Sequence, residues 1–193
     1  MNPVLETLCS DHANFAKLLN VIEQQAEAVS DGIAPDVDLL NKAVGYLEGY
    51  PGQYHHPLED ALCTRLQKAL PVPDPDVDGV LYQHHEIRQG LKRLKEELLA
   101  LDKGDAAAPE KLAEVALAFI DAEWKHMELE RTALFPTAMD ALTLKDWSQL
   151  EASVPLFHDP LFGGDVDAPL ERLHQALLMC ESTDRAADVL RRG

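Results

Sequence analysis

The chain has little that would tie it to a membrane, a nucleic acid or a disulfide scaffold. Its 193 residues include only 17 lysines and arginines against 34 aspartates and glutamates, a formal net charge of −17. A surface this acidic repels phosphate backbones and anionic lipid, so neither nucleic acid nor a membrane is expected as a partner. No apolar run approaches the roughly 18–20 residues that span a bilayer. The segment Met1 to Phe15 lacks a basic stretch followed by an apolar core, so no secretory signal is expected. The three cysteines, Cys9, Cys63 and Cys180, lie far apart and form no C-x-x-C. That spacing argues against a disulfide framework or a zinc ribbon, and points to reduced thiols and a cytoplasmic location.

Runs of β-branched residues are also scarce, as are internal repeats and low-complexity tracts. What remains is helical. Ser30-Asp31-Gly32 with Pro35, then Pro71, Pro73 and Pro75, then Asp102 to Pro109 with Gly104, cut the first 141 residues into four long segments. Each segment repeats its apolar residues in steps of three and four, the pattern of a helix with one face inward. Short connections between long helices make sequential neighbours antiparallel. The expected fold is therefore all-α, an up-down-up-down four-helix bundle over residues 1–141. Residues 142–193 are expected to form a C-terminal loop and helix extension that packs on the bundle or forms a homodimer contact. In that extension Ser153 to Pro169 reads as a loop carrying the apolar residues Val154, Leu156, Phe157, Leu161 and Phe162. Its last helix is expected over about Ala168 to Arg191.

The four stripes contain unusual members. The first carries His12 between Leu8 and Phe15, and the second carries His55 and Glu59 between Pro51 and Leu62. The third carries His84 between Val80 and Ile87, and the fourth carries Glu123, His126 and Glu130 between Phe119 and Leu134. Four imidazoles and two carboxylates are costly to bury uncompensated, and one dinuclear metal centre accounts for His12, His55, Glu59, His84, His126 and Glu130 together. Four residues along an α-helix rise about 6 Å and turn about 400°, so His55/Glu59 and His126/Glu130 each face one way, a turn apart. Each histidine can bind one metal while its glutamate reaches between both, across the roughly 3.5–4 Å that separates such pairs. Each metal then receives two nitrogens and two oxygens. An oxo or hydroxo bridge adds a fifth ligand and leaves a position for a diatomic molecule or water. Mixed imidazole and carboxylate donors suit iron, with manganese and zinc as competitors. The spacing is neither the Glu-x-x-His of ferritin-like bundles nor the H-E-x-x-H of zincins.

His12, His55-His56-Pro57-Leu58-Glu59, His84-His85-Glu86-Ile87-Arg88 and His126-x-x-x-Glu130 with Leu134-Phe135-Pro136 together resemble the hemerythrin / HHE cation-binding family, over about residues 3–141. The resemblance implies a bundle around two non-haem irons that binds oxygen or nitric oxide or handles iron, with the six residues above as ligands. Oxygen-carrying hemerythrins have a second histidine one turn after the third-helix histidine, where this chain has Arg88. On the fourth helix they have an aspartate five residues after the histidine, where this chain has Glu130 at four. The set is closer to the more open four-histidine, two-glutamate centres of bacterial HHE proteins, which include iron–sulfur repair proteins. The resemblance therefore implies a protein that binds or senses a diatomic ligand or redox state, with a centre more open and less asymmetric than that of the oxygen carriers, and not a dedicated carrier. One alternative is a di-iron enzyme or iron donor in stress response and cluster repair. Another is a structural metal site in an interaction protein.

Periodicity places His56 with Gln53, Asp60 and Gln67, and His85 with Asp78, Tyr82, Gln89 and Lys92, both polar faces. These two histidines are expected to point outward or to support the ligands from behind; Glu123, on the fourth stripe, and Arg88 are expected to support the ligands. Pro57 lacks the N–H that would bond back to Gln53, so a kink is expected there. His158 and His174 read as ordinary residues, Trp124 and Trp147 as packing residues, and Asp159, Asp165 and Asp167 as a solvated loop.

Overall fold

The computed structural model describes residues 2–153 and 159–179, and among these it is all-helical, with no strand. Helix α1 spans Pro3–Ser30 and α2 spans Val37–Tyr50. A π-helical turn, Pro51–His55, joins α2 to α3, His56–Ala69. Helix α4 is Pro75–Asp102 and α5 is Ala108–Leu129; a second π-helical turn, Glu130–Leu134, leads into α6, Phe135–Ala141. Two shorter helices follow, α7 over Leu144–Ser153 and α8 over Glu171–Met179, the latter preceded by a 3₁₀ turn at Ala168–Leu170.

The helix starts follow from local chemistry. The Asn2, Asp36 and Asp74 side chains accept from the backbone N–H groups of Val4, Leu39 and Asp76, satisfying donors that a helix start leaves open. Pro3 and Pro75 stand at first-turn positions where a missing N–H is harmless. Gly32, at φ +75°, takes the left-handed turn after α1. Helix α5 packs against α1 and α4, and α4 also lies against α2 and α3. Gly90 lies close against α5, where a Cβ would stand 3.2 Å from the Phe119 ring.

Two apolar cores result. One gathers Phe15, Leu19, Leu47, Ile87, Leu94, Leu112, Phe119 and their neighbours; the other gathers Leu5, Leu8, Leu62, Leu66, Val80, Leu134, Phe135, Trp147 and Leu150. On α1 the break between them falls at His12, and on α4 at His84. A layer of buried polar side chains thus lies between the cores.

The two π turns share a design. Each ends with a backbone N–H bonded five residues back, His56 to the Pro51 carbonyl and Phe135 to the Glu130 carbonyl. In each, a proline stands two residues beyond the last residue of the turn, Pro57 after His55 and Pro136 after Leu134. A proline inside a helix has no N–H and its ring collides with the carbonyl four residues back, so the helix widens by one residue just before it. The expected break at Pro57 thus takes the form of this turn. Widening overturns the outward placement of His56: beyond the turn the straight-helix phase no longer holds, and His56 is buried beside His55 while Gln53 stays exposed.

The extension departs from expectation in two ways, an added helix and a buried aspartate. Helix α7 was not anticipated after Ala141, although Thr143-Leu144-Lys145-Asp146 is a capping box. In it, Thr143 N–H donates to the Asp146 carboxylate and Asp146 N–H donates to the Thr143 hydroxyl. Helix α8 starts near the expected residue and is described to Met179; Val154, Leu156, Phe157, His158, Cys180 and the remainder of the expected last helix lie outside the described residues. Asp159 is buried rather than solvated, accepting from the Tyr46 hydroxyl at 3.0 Å and from the backbone N–H groups of Leu161 and Phe162. Leu161, Leu173 and Leu177 join the first core. Trp124 and Trp147 are both buried among apolar residues, as expected of packing side chains.

Replacing Pro57 by alanine supplies the N–H that the Gln53 carbonyl lacks. The variant is expected to close the α-helical ladder through this turn and to raise the thermal midpoint of the metal-free protein. Amide hydrogen exchange at position 57 that stays fast would show that the buried side chains, not the proline, hold the turn open.

Candidate metal centre

Seven side chains meet in the polar layer: His12 from α1, His55 from the first π turn, His56 and Glu59 from α3, His84 from α4, His126 from α5, and Glu130 from the second π turn. All are at most 5% exposed. The structure thus brings together all six residues read from the stripes and adds His56.

Glu59 is central. Its Oε1 lies 2.8 Å from His55 Nε2 and 3.4 Å from His12 Nε2. Its Oε2 lies 3.1 Å from His84 Nε2 and 3.7 Å from His126 Nε2. The two oxygens of one carboxylate therefore face two different sets of imidazoles. Glu130 also spans the sets, its Oε2 standing 3.1 Å from His12 Nε2 and 3.5 Å from His126 Nε2. Donor atoms of His12, His55 and Glu59 fall within 4.8 Å of one another, and so do those of His56, Glu59, His84 and His126.

Three imidazoles are oriented from behind. Nδ1 of His55 donates to Asp11 Oδ2 at 2.9 Å, and Nδ1 of His84 to Asp60 Oδ1 at 2.7 Å. Nδ1 of His126 donates to Gln83 Oε1 at 3.3 Å. Each bond fixes the tautomer and aims Nε2 at the carboxylates, as the outer partners of metal-binding histidines do. Asp11, Asp60 and Gln83 were not picked out from the sequence. The signal was present, since each adjoins a ligand candidate: Asp11 precedes His12, Asp60 follows Glu59, and Gln83 precedes His84.

The residues expected to play this part behave differently. Glu123 is buried, and burial pushes its carboxyl up, yet His126 takes its Nδ1 partner from Gln83. His85 and Arg88 are exposed, because α4 turns its Ile87 and His84 face inward at this level. Arg88, Glu123 and His56 line a cavity of about 300 Å³ together with Leu47, Gly52 and Ile87. His174, in α8, is half-buried and stands outside the cluster. Neither Cys9 nor Cys63 is among the clustered donors, and burial pushes both thiols up, away from the thiolate a metal requires.

Buried donors are left over. His12 Nε2, His56 Nδ1, His126 Nε2, Glu59 Oε1 and both Glu130 oxygens are buried without a hydrogen bond of acceptable geometry. Unsatisfied polar atoms on this scale are rare in a native core, and here they converge on one volume. They fit a cation in the layer.

The profile of the hemerythrin HHE cation-binding domain matches residues 4–138. The chain belongs to this family. No curated protein and no solved structure matches it significantly. Family membership and the convergent donors agree on a metal-binding site of histidines and glutamates. None of the described helices is long and apolar enough to cross a membrane.

Without metal, protons hold the layer together. Burial pushes His12, His55 and His84 down, but neighbouring carboxylates outweigh it: Glu130 and Glu59 bring His12 to about 9, Glu59 and Asp11 bring His55 to about 10, and Asp60 and Glu59 bring His84 to about 9. Burial raises Glu59, yet His55, His12 and His126 hold it well below the usual carboxylate range. An imidazole raised above its unfolded value of about 6.5 stabilises the fold fully below that value and loses the contribution as pH rises through the folded one. The metal-free protein is therefore expected to lose thermal stability between pH 6.5 and about 10. Metal binding requires deprotonated ligands, so the loaded protein should hold its melting temperature over the same range. Parallel decline of both forms in calorimetry would show that protons and metal do not compete for this layer.

Proposed function

We propose that this chain is a di-iron protein that binds or senses a diatomic ligand, oxygen or nitric oxide, or responds to redox state, in an up-down-up-down four-helix bundle. The observation that carries the reading is Glu59: each of its oxygens meets a separate group of imidazoles. A carboxylate with both lone-pair edges committed in this way is suited to two cations. His12, His55, His84, His126, Glu59 and Glu130 would hold them. The mixed nitrogen and oxygen donor set, with no thiolate, suits iron. Such a pair, when bound, supplies redox chemistry and open coordination positions. The chain supplies the rest: Asp11, Asp60 and Gln83 fix the imidazoles, and two apolar cores keep bulk water from the layer above and below.

The cavity lined by His56, Arg88 and Glu123 supports ligand access over a purely structural centre. Its volume of about 300 Å³ suits a small ligand and is at the low end for organic substrates.

Metal analysis should find about two irons per chain. Glu59→Ala and Glu130→Ala should each lower iron content sharply, because each removes a donor shared by two positions; unchanged content in both variants would sink the bridging assignment. Loading should raise the melting temperature, since only the folded chain presents the ligands together. Mixing the reduced protein with oxygen and with nitric oxide in stopped flow should give a spectral adduct. Spectra indifferent to both gases would leave a structural centre as the better reading.

A further inference from the structure

Six ligands divided evenly would give two equivalent metal positions. The structure favours an unequal division. We infer that His56 is a fifth imidazole donor, grouped with His84 and His126 at one position and leaving His12 and His55 at the other. This inference rests on the two-metal reading above.

Three observations carry it. Donor atoms of His56, Glu59, His84 and His126 lie within 4.8 Å of one another, as do those of His12, His55 and Glu59. The His56 ring stands 4.7 Å from that of His84 and 5.7 Å from that of His126, centroid to centroid, as a member of the group and not a backing residue. Its Nδ1 is buried and has no hydrogen-bond partner. In His55, His84 and His126 the same atom is taken by Asp11, Asp60 or Gln83, and Nε2 faces the carboxylates. His56 lacks such a tether, so its Nδ1 remains free to bind.

The π turn makes this placement available. It lets two consecutive histidines face inward from one helix, which a regular α-helix, stepping 100° per residue, does poorly. His56 thereby supplies from α3 an imidazole that the exposed Arg88 does not supply from α4. Five imidazoles divided three to two make the centre asymmetric, contrary to the even and open arrangement expected from six ligands.

The cavity gives the inference a sharp test, because His56 forms part of its wall whereas His84 does not line it. Removing the His56 ring should join the cavity to the vacated donor position. Cobalt(II) serves as the probe. Proton NMR of the wild-type protein loaded with two cobalt(II) ions should show five sets of hyperfine-shifted imidazole resonances. His56→Gly should show four, and should bind cobalt at one position at least about tenfold more weakly. Added imidazole should enter through the cavity and restore the affinity of His56→Gly but not that of His84→Gly. His85→Ala, altered on the exposed face, should match wild type in every respect. If His56→Gly does not fold, His56→Asn, closer to histidine in volume, carries the resonance count. Two cobalt ions with four imidazole sets, unchanged in either His56 variant, would overturn this inference and leave the dinuclear reading standing. Uptake of a single cobalt by the wild-type chain would overturn the dinuclear reading itself.

Discussion

Two carboxylates and five imidazoles are enclosed in one layer between two apolar cores, and nearly every local feature of the fold follows from that burial. An ionised carboxylate removed from water costs several kcal/mol unless opposite charge and hydrogen bonds replace its hydration. Glu59 is fully enclosed, and Glu130 is equally so. In the metal-free chain, protonated imidazoles supply the compensation. The unsatisfied atoms that remain show that protons do this incompletely. Metal cations would satisfy donors that protons leave unpaired, and binding them would then couple to folding.

The supports of the centre are arranged as a relay around the helices. Asp11, beside His12 on α1, orients His55; Asp60, beside Glu59 on α3, orients His84; Gln83, beside His84 on α4, orients His126. Each of these three helices thus presents a candidate ligand to the layer and, from the adjacent position, a support for a candidate on another element. Displacing one helix would disturb both its own donor and that of its neighbour. The relay continues outward. The Tyr50 hydroxyl donates to Asp11, its ring stacks at 6.0 Å on that of Tyr46, and the Tyr46 hydroxyl donates to Asp159 in the loop ahead of α8. The C-terminal extension is therefore packed against the elements that hold His55, and is not simply appended to them.

Local helix geometry tunes the layer. The two π turns, at Pro51–His55 and Glu130–Leu134, each contain a donor and each precede a proline. Widened turns of this kind are rare and cluster at functional positions, since they redirect a side chain without breaking the helix. At the first, the widening brings His56 inward beside His55. At the second, Glu130 opens the turn and faces His12 and His126 together.

The sequence by itself determined the four long helical segments and the inward placement of six ligand candidates. Those properties depend on spacing within a single helix: apolar residues in steps of three and four, and histidine four before glutamate. It also carries the Thr143–Asp146 capping box that starts α7, a signal local to four residues. Only the tertiary structure decided which residues support which ligands. Asp11, Asp60 and Gln83 act across helix interfaces, where no one-helix period applies, and Asp159 is buried by the packing of its loop on Tyr46. The inward turn of His56 lay between the two. Pro57 announced a disturbed helix, but a period counted through the proline assumes an unbroken α-helix. A single extra residue in the turn shifts that phase, and with it the face to which His56 belongs.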